Sequence, residues 1–507
     1  MSKVVGIDLG TTNSAIAHVE DGEAEIIRNE QGNYTMPSVV QFGEDETVVG
    51  KMAYSRRVTK SDEIVEHIKR HMGEDYETDE IHGNTYRPEQ VSGFILEKLR
   101  KDAVEKLGDE DVSSAVITVP AYFGVAQREA TKNAAELVDL DVERVINEPT
   151  AACLRYAKEV EGELLEGEKE TVFVYDLGGG TFDATLVEVG DGTVRALGTD
   201  GNKQLGGEDL TNELYEHIKQ AFLDAGNQID DPSIESTLRQ EAKETKEDLS
   251  QVESRMVSVH IGGGFEFEVT RDEFEDQVEH LVEDTLHTVD ELFADENVDC
   301  TKDEVDRVLL VGGSTRTPLV QERVEDYFGI EPSKELDPDY VVAQGAAIQA
   351  DNLDVDYEDT TTTEEDPTNL VDVISHTVGV EVYEEDGPNS LAPILEANEE
   401  VPAEDDDVFT TTQDDQTTIK VRIFEGEDPI AEENNHLGSF ELSDLDPRPA
   451  GEPTIDVTFK VTEEGVIKAS AYDNDTDKKA TATVDVGLTK EEMDGMKQKI
   501  ADVPAVK

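Results

Sequence analysis

The 507-residue sequence predicts an α/β domain of two similar lobes, followed by an all-β domain. A strand, a turn rich in glycine and threonine and a second strand occur in the same order at residues 4–22 and 171–192. Residues 370–487 instead alternate apolar and polar side chains, as in residues 455–461. A period of two is typical of antiparallel sheets that bury one face. The length also favours several cores over one.

The second copy of the strand–turn–strand pattern carries a ligand-binding signal. Its first strand ends at Asp176, and the glycines 178–180 and Thr181 precede the next strand. Without Cβ atoms, these glycines let backbone N–H groups approach a phosphate chain. The carboxylate of Asp176 would repel phosphate, but it suits a hydrated Mg²⁺. One such turn alone is equally consistent with a plain hairpin.

Two further turns favour the ligand-binding interpretation. The first copy carries the turn at residues 8–12, and two such hairpins facing each other could clamp one phosphate chain from opposite sides. A third turn, residues 312–316, follows an apolar strand at residues 308–311. Pro318 comes next and suits the first position of a helix.

Six motifs together resemble one protein family. They are GIDLGTTNS (6–14), AVITVPAYF with QREATKNAA (115–135), INEPTAA (146–152), YDLGGGTFD (175–183), LGGEDL (205–210) and LVGGSTRTPLV (310–320). From residue 1 to about residue 500 the chain resembles the 70-kDa heat-shock chaperones of the DnaK type. The phosphate motifs are shared with actin and the sugar kinases. The TVPAYF and NEPTAA motifs followed by a β-domain are specific to the chaperones.

The resemblance implies a two-lobed, actin-like ATPase domain with ribonuclease-H-like repeats over residues 1–350. An acidic linker (351–372), a peptide-binding β-sandwich (373–487) and the start of a truncated helical lid (488–507) would follow. The implied function is an ATP-dependent chaperone that binds extended apolar segments of unfolded proteins and releases them in a cycle of ATP binding and hydrolysis. ATP or ADP, Mg²⁺ and K⁺ are the expected cofactors. Unfolded polypeptides, a J-domain cochaperone and a nucleotide exchange factor are the expected partners.

The resemblance also assigns roles in the nucleotide cleft. Lys69, Glu148, Asp176 and Thr181 would be catalytic, although a lone lysine is by default a solvated helix residue. Asp8 and Asp176 would hold Mg²⁺ through its waters. The other expected nucleotide contacts are Gly10, Thr11, Thr12, Asn13, Gly178, Gly179, Gly180, Asp183, Gly206, Gly207, Lys246, Ser250, Gly312, Gly313, Ser314, Arg316 and Asp339.

Two further residue sets follow from the resemblance. The expected peptide pocket comprises Val380, Tyr383, Phe409, Thr412, Ile419 and Val421. Because apolar strand residues are more often core, about half of these six are expected to be core residues. The residues expected to couple the domains are Pro120, Arg128, Arg144, Leu370, Val371 and Asp372. Arg144 also matches a J-domain contact, whereas Pro120 could be an ordinary strand terminator.

Charge and cysteine content indicate which kinds of partner and which compartment to expect for this protein. The 43 basic and 120 acidic residues give a net charge of −77, spread over the whole chain. Without a basic stripe, nucleic-acid binding is not expected. Because the Debye length is only about 3 Å in molar salt, the charge suggests adaptation to a salt-rich cytoplasm. Affinity for basic partners would instead predict clustered acids. Two cysteines and no long apolar segment predict a soluble cytoplasmic protein that does not bind membranes.

Three departures from the family pattern leave alternatives open. Lys243 stands where the family usually has glutamate, which affects the ribose contacts. Only Leu370 and Val371 precede Asp372 in the linker, which predicts weaker docking onto the ATPase domain. By the resemblance, residues 488–507 are expected to form only the start of the family's helical lid. A lid-less, nucleotide-regulated holdase or exchange factor with slow turnover is therefore the main alternative. A sugar or acetate kinase would share the nucleotide fold but has no use for the β-domain.

Overall fold

The computed structural model contains two mixed α/β lobes and a β-sandwich. It describes residues 3–108, 112–160, 168–260, 264–334, 336–354, 369–384, 388–462, 465–476, 478–483 and 488–503. Most of the predicted linker, residues 355–368, lies outside the described residues, as do the last residues of the predicted sandwich and of the predicted lid. No helix in the described ranges is long and apolar enough to cross a membrane.

The first lobe is built on a mixed sheet with the strand order β3-β2-β1-β8-β9, and it also contains a small three-stranded sheet with the order β6-β5-β7. Its strands are β1 (Val4–Asp8), β2 (Asn13–Glu20), β3 (Glu23–Ile26), β4 (Met36–Pro37), β5 (Val39–Phe42), β6 (Thr47–Val49), β7 (Ile64–Glu66), β8 (Ser114–Val119) and β9 (Asp141–Asn147). Its helices are α1 (Lys51–Arg56), α2 (Pro88–Leu107), α3 (Val125–Glu136) and α4 (Glu148–Glu159). β1 pairs antiparallel with β2 and parallel with β8, so the strand ends after β1 and β8 meet at one edge.

The second lobe repeats this topology. Its strands are β10 (Lys169–Leu177), β11 (Phe182–Gly190), β12 (Thr193–Asn202), β13 (Ser254–Val259), β14 (Phe265–Thr270) and β15 (Arg307–Val311). Its helices are α5 (Gly207–Asp224), α6 (Pro232–Leu249), α7 (Arg271–Ala294), α8 (Pro318–Phe328) and α9 (Val341–Asp354). The order β12-β11-β10-β15 matches β3-β2-β1-β8 of the first lobe. The repeat seen in the sequence is therefore a structural repeat.

A shared core joins the two lobes. Helices α4 and α9 pack against each other and against strands of both sheets. Small side chains make this possible, since Ala343 and Ala347 of α9 contact Ala15 and Ala17 of β2. Helices α2 and α3 cover the opposite face of the first sheet. Short 3₁₀ helices are Ser61–Glu63, Ile68–His71, Lys302–Glu304, Gly313–Arg316 and Ala431–Glu433.

The end of the predicted linker is an added strand of the second lobe. β16 (Asn369–Val371) pairs parallel with the start of β12, where Leu370 lies opposite Val194. The next residue, Asp372, accepts hydrogen bonds of 2.7 Å from the side-chain amide of Asn147 in the first lobe. The linker is thus docked in this conformation by three residues of sheet pairing, and the strength of that docking stays a prediction.

The C-terminal domain consists of two antiparallel sheets, ordered β18-β17-β20-β21 and β19-β22-β23-β24. Its elements are β17 (Val378–Val382), β18 (Ser390–Leu395), β19 (Ala403–Phe409), β20 (Thr418–Glu425), β21 (Asn435–Ser443), β22 (Ile455–Val461), β23 (Ile467–Asp473), β24 (Lys478–Thr483) and α10 (Lys490–Asp502). Alternate residues of both sheets form one core, as the period of two predicted. Helix α10 places Met493 and Met496 against Leu137 of the first lobe.

Glu425 holds the sandwich against the first lobe. Its carboxylate accepts the backbone N–H of Val125, the first residue of α3, at 3.0 and 3.2 Å. Glu425 is 3% exposed, and burial raises its pKa. Contact this close requires glycine at position 124, because a Cβ atom there would lie 2.2 Å from Oε2 of Glu425. The backbone of Gly124 has φ −76°, which any residue can adopt, so the requirement comes from the other domain.

A double-mutant experiment tests this contact. We expect Gly124→Ala to separate the sandwich from the lobes, because its methyl group displaces Glu425. Glu425→Ala should weaken docking by about 1–3 kcal/mol, since a helix N–H loses its partner. In Glu425→Ala, the further change Gly124→Ala should cost nothing more. Small-angle X-ray scattering in molar KCl would measure the domain separation. An additive effect of the two substitutions would contradict the contact.

Candidate functional site

The three turns singled out in the sequence line one cleft between the lobes. The cleft has a volume of about 370 Å³. The turns follow β1, β10 and β15, which lie at the matching positions of the two repeated sheets. Ligand sites in open α/β sheets lie beyond the carboxyl ends of the strands, and this cleft follows that rule.

The two repeated hairpins approach each other closely within the cleft. A Cβ atom on Gly179 would lie 1.9 Å from Oγ1 of Thr12, and one on Gly180 would lie 2.6 Å from Cγ2 of Thr11. Any larger side chain would therefore push the hairpins apart. The approach leaves backbone N–H groups and threonine hydroxyls on both sides of the cleft, a combination that suits phosphate oxygens.

Four carboxylates and one lysine lie at the base of the cleft. The Nζ atom of Lys69 lies 2.6 Å from Oε1 of Glu148, and both residues are buried. Asp8 ends β1 and Asp176 lies near the end of β10. Asp183 lies directly opposite Asp176 on β11. One lysine thus lies among three buried acids, Glu148, Asp176 and Asp183, and the partly buried Asp8.

The crowding of carboxylates shifts their protonation. Burial, followed by the charge of Glu148, raises the pKa of Asp8 to about 7. The same two causes raise the pKa of Asp183 to about 7. The pKa of Asp176 is also raised, by burial and then by Glu148 and the other acids. Added positive charge at this point would therefore be strongly favoured.

Lys69 and Glu148 each lie close to the end of a secondary-structure element, which fixes their positions. Lys69 belongs to the 3₁₀ helix Ile68–His71, immediately after β7, and Glu148 is the first residue of α4. Arg70, next to the lysine, donates from Nε to the carbonyl of Gly180 at 3.2 Å and pairs with Asp209 of the second lobe. The catalytic candidates are thus tied to both lobes.

The opposite end of the cleft is formed by α6 and the third turn. The Nζ atom of Lys246 donates to the carbonyl of Gly207 at 2.5 Å. Burial, followed by the charge of Lys243, lowers the pKa of Lys246 to about 8. Arg316 is held by Asp337 and Asp339 at 2.8 and 2.7 Å. A planar guanidinium beside an open cleft suits stacking on a nucleobase.

Nearly all of the sequence-predicted cleft residues meet here. Those that line the cleft are Asp8, Gly10, Thr11, Thr12, Asn13, Lys69, Glu148, Asp176, Gly178, Gly179, Thr181, Gly207, Lys246, Ser250, Gly312, Gly313, Ser314, Arg316 and Asp339. Gly180 and Gly206 instead pack against each other behind the cleft surface. Asp183 accepts the backbone N–H of Tyr122 at 2.8 Å.

Sequence reasoning missed several lining residues. Five of them stand next to a predicted residue in the chain and could have been found by extending the motifs: Glu208, Glu247, Val311, Thr317 and Pro338. Thr35 and Val342 come from other segments, and no local pattern marked them.

The donor set fits a divalent cation held through water. Among the residues that the structure describes, no three His, Cys, Asp or Glu side chains lie close enough to hold a metal directly. The raised pKa values of the three aspartates nevertheless show that their ionised forms are disfavoured, and a nearby cation would relieve this. Mg²⁺ commonly keeps several waters and takes one or two carboxylates together with substrate phosphates.

Comparison of the sequence with models of known protein families identifies the family of this chain. The family model described as Hsp70 protein matches residues 4–83 and 78–505. The chain belongs to the Hsp70 family. Its two lobes are therefore the actin-like nucleotide-binding domain of an Hsp70 chaperone, and its two antiparallel sheets are the substrate-binding sandwich. Members of the family are ATPases that bind ATP or ADP with Mg²⁺ and interact with clients and cochaperones.

The Hsp70 domains meet at the loop between β8 and α3. Tyr122, whose N–H binds Asp183, accepts a hydrogen bond at its carbonyl from a ring nitrogen of His376 in the sandwich, at 3.0 Å. The hydroxyl of Ser375 donates to the carbonyl of Ala121 at 2.7 Å. One loop thus contacts a carboxylate at the cleft and the substrate-binding domain.

The predicted coupling residues surround this loop. Arg128 donates to the carbonyl of Phe123 at 3.0 Å and to the side chain of Asn147, which holds Asp372. Pro120, Arg144, Leu370 and Val371 were predicted with them. Pro120 directly precedes the loop, and Leu370 and Val371 belong to β16. Arg144 lies on β9 and lines a small cavity with Leu370 and Asp372.

The six predicted peptide-pocket residues have different environments. Val380 and Val421 are 3% and 6% exposed and belong to the sandwich core, because they point between the sheets. Phe409 and Ile419 pack against that core but are only partly buried. Tyr383 is 64% exposed, and Thr412 is exposed on the loop after β19.

Asp183 predicts a specific pH dependence for the metal-free and nucleotide-free protein. Its pKa is about 7 in the folded state, against an ordinary value of 3.8. Between these values the folded chain holds a proton that the unfolded chain has lost. The contribution of Asp183 to the free energy of unfolding should therefore fall as pH rises toward 7, by at most about 1.4 kcal/mol per pH unit.

Urea unfolding at a series of pH values would measure this contribution. Asp183→Asn should make the slope between about pH 5 and 7 shallower by up to about 1.4 kcal/mol per pH unit, and the slope that remains is that of Asp8 and Asp176. Asp224→Asn, which changes an exposed carboxylate on α5, is the matched control and should keep the full slope. Equal slopes for both variants would contradict the assignment.

Proposed function

We propose that this Hsp70 chain is a chaperone that hydrolyses ATP and uses the cycle to bind and release extended apolar segments of unfolded proteins. The observation that carries the proposal is the loop between β8 and α3. It contacts a buried cleft carboxylate through Tyr122 and the sandwich through Ser375 and His376. A change in the position of Asp183 would therefore be transmitted through this one loop to the substrate-binding domain.

Catalysis would depend on positioning and charge. Phosphoryl transfer to water needs little covalent help from the protein. Asp8 and Asp176 would hold Mg²⁺ through its waters, and the chemistry it supplies is neutralisation of phosphate charge. Backbone N–H groups of the glycine turns would hold the phosphate oxygens. Lys69 and Thr181 would orient the attacking water, and Glu148 would fix the position of the lysine.

Coupling would depend on the docked linker. In the proposed cycle, ATP holds the lobes in the arrangement that favours β16 on the second lobe and Glu425 on the first. Hydrolysis would weaken both contacts and free the sandwich. Support comes from Asp372, whose hydrogen bonds to Asn147 join the linker to the strand that leads into Glu148.

The partners proposed are unfolded clients, a J-domain cochaperone and an exchange factor. Arg144, on the exposed approach to the linker cavity, is the proposed J-domain contact. Tyr383 is the largest exposed apolar side chain of the sandwich and lies just after β17, where it could contact an extended client. K⁺ is proposed as a further ion of the working enzyme.

Replacing Lys69 tests the catalytic role. We expect Lys69→Ala to lower ATP turnover by about 10²–10³-fold, because the cleft loses its only buried cation beside four acids. Nucleotide affinity should change little, since the glycine turns and Arg316 remain. Single-turnover hydrolysis and nucleotide titration would separate the two quantities.

Lys101→Ala is the matched control for that experiment. It removes an exposed lysine from α2 of the same lobe, and turnover should stay at the wild-type level. Full turnover in Lys69→Ala would remove the lysine from the mechanism.

Peptide stimulation tests the coupling. ATP turnover in molar KCl should rise when an extended apolar peptide is added. Asp372→Ala should abolish the rise but keep the basal rate, because it breaks the linker contact to Asn147. Glu441→Ala, an exposed acid on β21, should behave as wild type. Wild-type turnover that ignores peptide would indicate a holdase with an uncoupled ATPase.

A further inference from the structure

A second cavity borders the nucleotide cleft. It has a volume of about 150 Å³ and shares Glu208 and Lys243 with the cleft. The first lobe contributes Arg57 and His67 to its wall, and the second lobe contributes Arg239 and Lys243. Cationic groups from both lobes, Arg57 of the first and Arg239 and Lys243 of the second, therefore line one cavity in a chain whose net charge is −77.

Two of these cations have no carboxylate partner. In the described part of the chain, no Asp or Glu oxygen lies within the 4.0 Å of an ion pair from Arg57 or from Lys243. Two acids do line the cavity, Glu66 and Glu208. The Oε2 atom of Glu208 lies 3.5 Å from Nε2 of His67. Neither acid neutralises the two cations at contact distance.

Both unpaired cations lie against the same aromatic ring. The guanidinium carbon of Arg57 is 3.4 Å from the centre of the Tyr54 ring, and Nζ of Lys243 is 4.7 Å from it. The ring attracts each cation, but the cations repel each other. An anion between them would remove this repulsion.

Two buried nitrogen atoms of the cavity residues are also unpartnered. Nη2 of Arg57 and Nδ1 of His67 are both shielded from solvent and have no hydrogen-bond partner. Buried polar atoms are normally paired, so unpaired nitrogens beside a cavity indicate a missing ligand. Burial lowers the pKa of His67, an effect that Lys243 and Arg70 reinforce and Glu208 and Glu66 oppose.

We propose that this cavity binds a small oxoanion of the phosphate type, held by Arg57 from the first lobe and by Lys243 and Arg239 from the second. A guanidinium binds tetrahedral oxoanions through two parallel N–H donors, which a monatomic anion cannot use equally. Ser61 and Ser236 line the same space, and their hydroxyls could add further donors. The site lies outside the three glycine turns, so it is distinct from the positions proposed for the nucleotide phosphates.

Occupation of the site would tie the lobes together. Arg57 follows α1 of the first lobe, and Lys243 and Arg239 belong to α6 of the second. A bound oxoanion would therefore oppose separation of the two lobes beside the nucleotide cleft.

Equilibrium dialysis with radiolabelled inorganic phosphate tests the site. The full chain is saturated with the β,γ-imido analogue of ATP, which occupies the phosphate positions of the cleft, and ionic strength is held constant with KCl. We expect about one phosphate bound per chain. Arg57→Gln should weaken binding at least about tenfold, because one charged donor pair is lost. Lys51→Gln, which removes an exposed charge from α1, should bind as wild type.

Lys243→Gln is the second variant, and it keeps the test decisive if Arg57→Gln fails to fold. Absence of bound phosphate, or equal binding by wild type and a folded variant, would overturn the proposal. The comparison is repeated without the analogue. Failure to bind the analogue would count against the proposed ATPase function, whereas the phosphate difference between wild type and variant would still decide the oxoanion site.

Discussion

The structure depends on one electrostatic constraint, the burial of four carboxylates around a single lysine. Asp8 and Asp176 come from the equivalent strands β1 and β10, Asp183 lies opposite Asp176 on β11, and Glu148 joins them from the start of α4. Burial and neighbouring charge raise the pKa values of the three aspartates, so added positive charge is favoured at this site. A cation and phosphates bound there would add to the shared core of α4 and α9 that already joins the two sheets.

The same constraint explains why the domains meet where they do. The loop after β8 supplies the N–H that Asp183 needs, and the other atoms of this short loop are left to face outward. The sandwich hydrogen-bonds to these atoms. Ser375 and His376 contact carbonyl groups of the loop, and the carboxylate of Glu425 accepts the first N–H of α3. The loop between β8 and α3 therefore contacts both a carboxylate near the cleft and the sandwich domain.

Much of this arrangement could be predicted from the sequence because it rests on local pattern. The three glycine turns, the repeated hairpin and the period of two in the sandwich are short-range signals, and each corresponds to an element of the structure. Contacts between distant segments gave no such signal. Nothing in the sequence indicates that Gly124 must stay small for Glu425, about 300 residues away, or that Arg57 and Lys243 share the ring of Tyr54. The strand formed by Leu370 and Val371 was missed for a related reason, since three residues carry too little periodicity.

The short strand β16 also affects the exposed edge of the second sheet. It covers the start of β12, which would otherwise be the open edge of the second sheet. An uncovered edge offers unpaired N–H and C=O groups to any extended chain, including a second copy of the protein or an unfolded client. Only three residue pairs are involved, and one of them carries Arg195, whose charge discourages sheet growth. The linker thus replaces the first three residues of a long edge strand with an edge strand of only three residues.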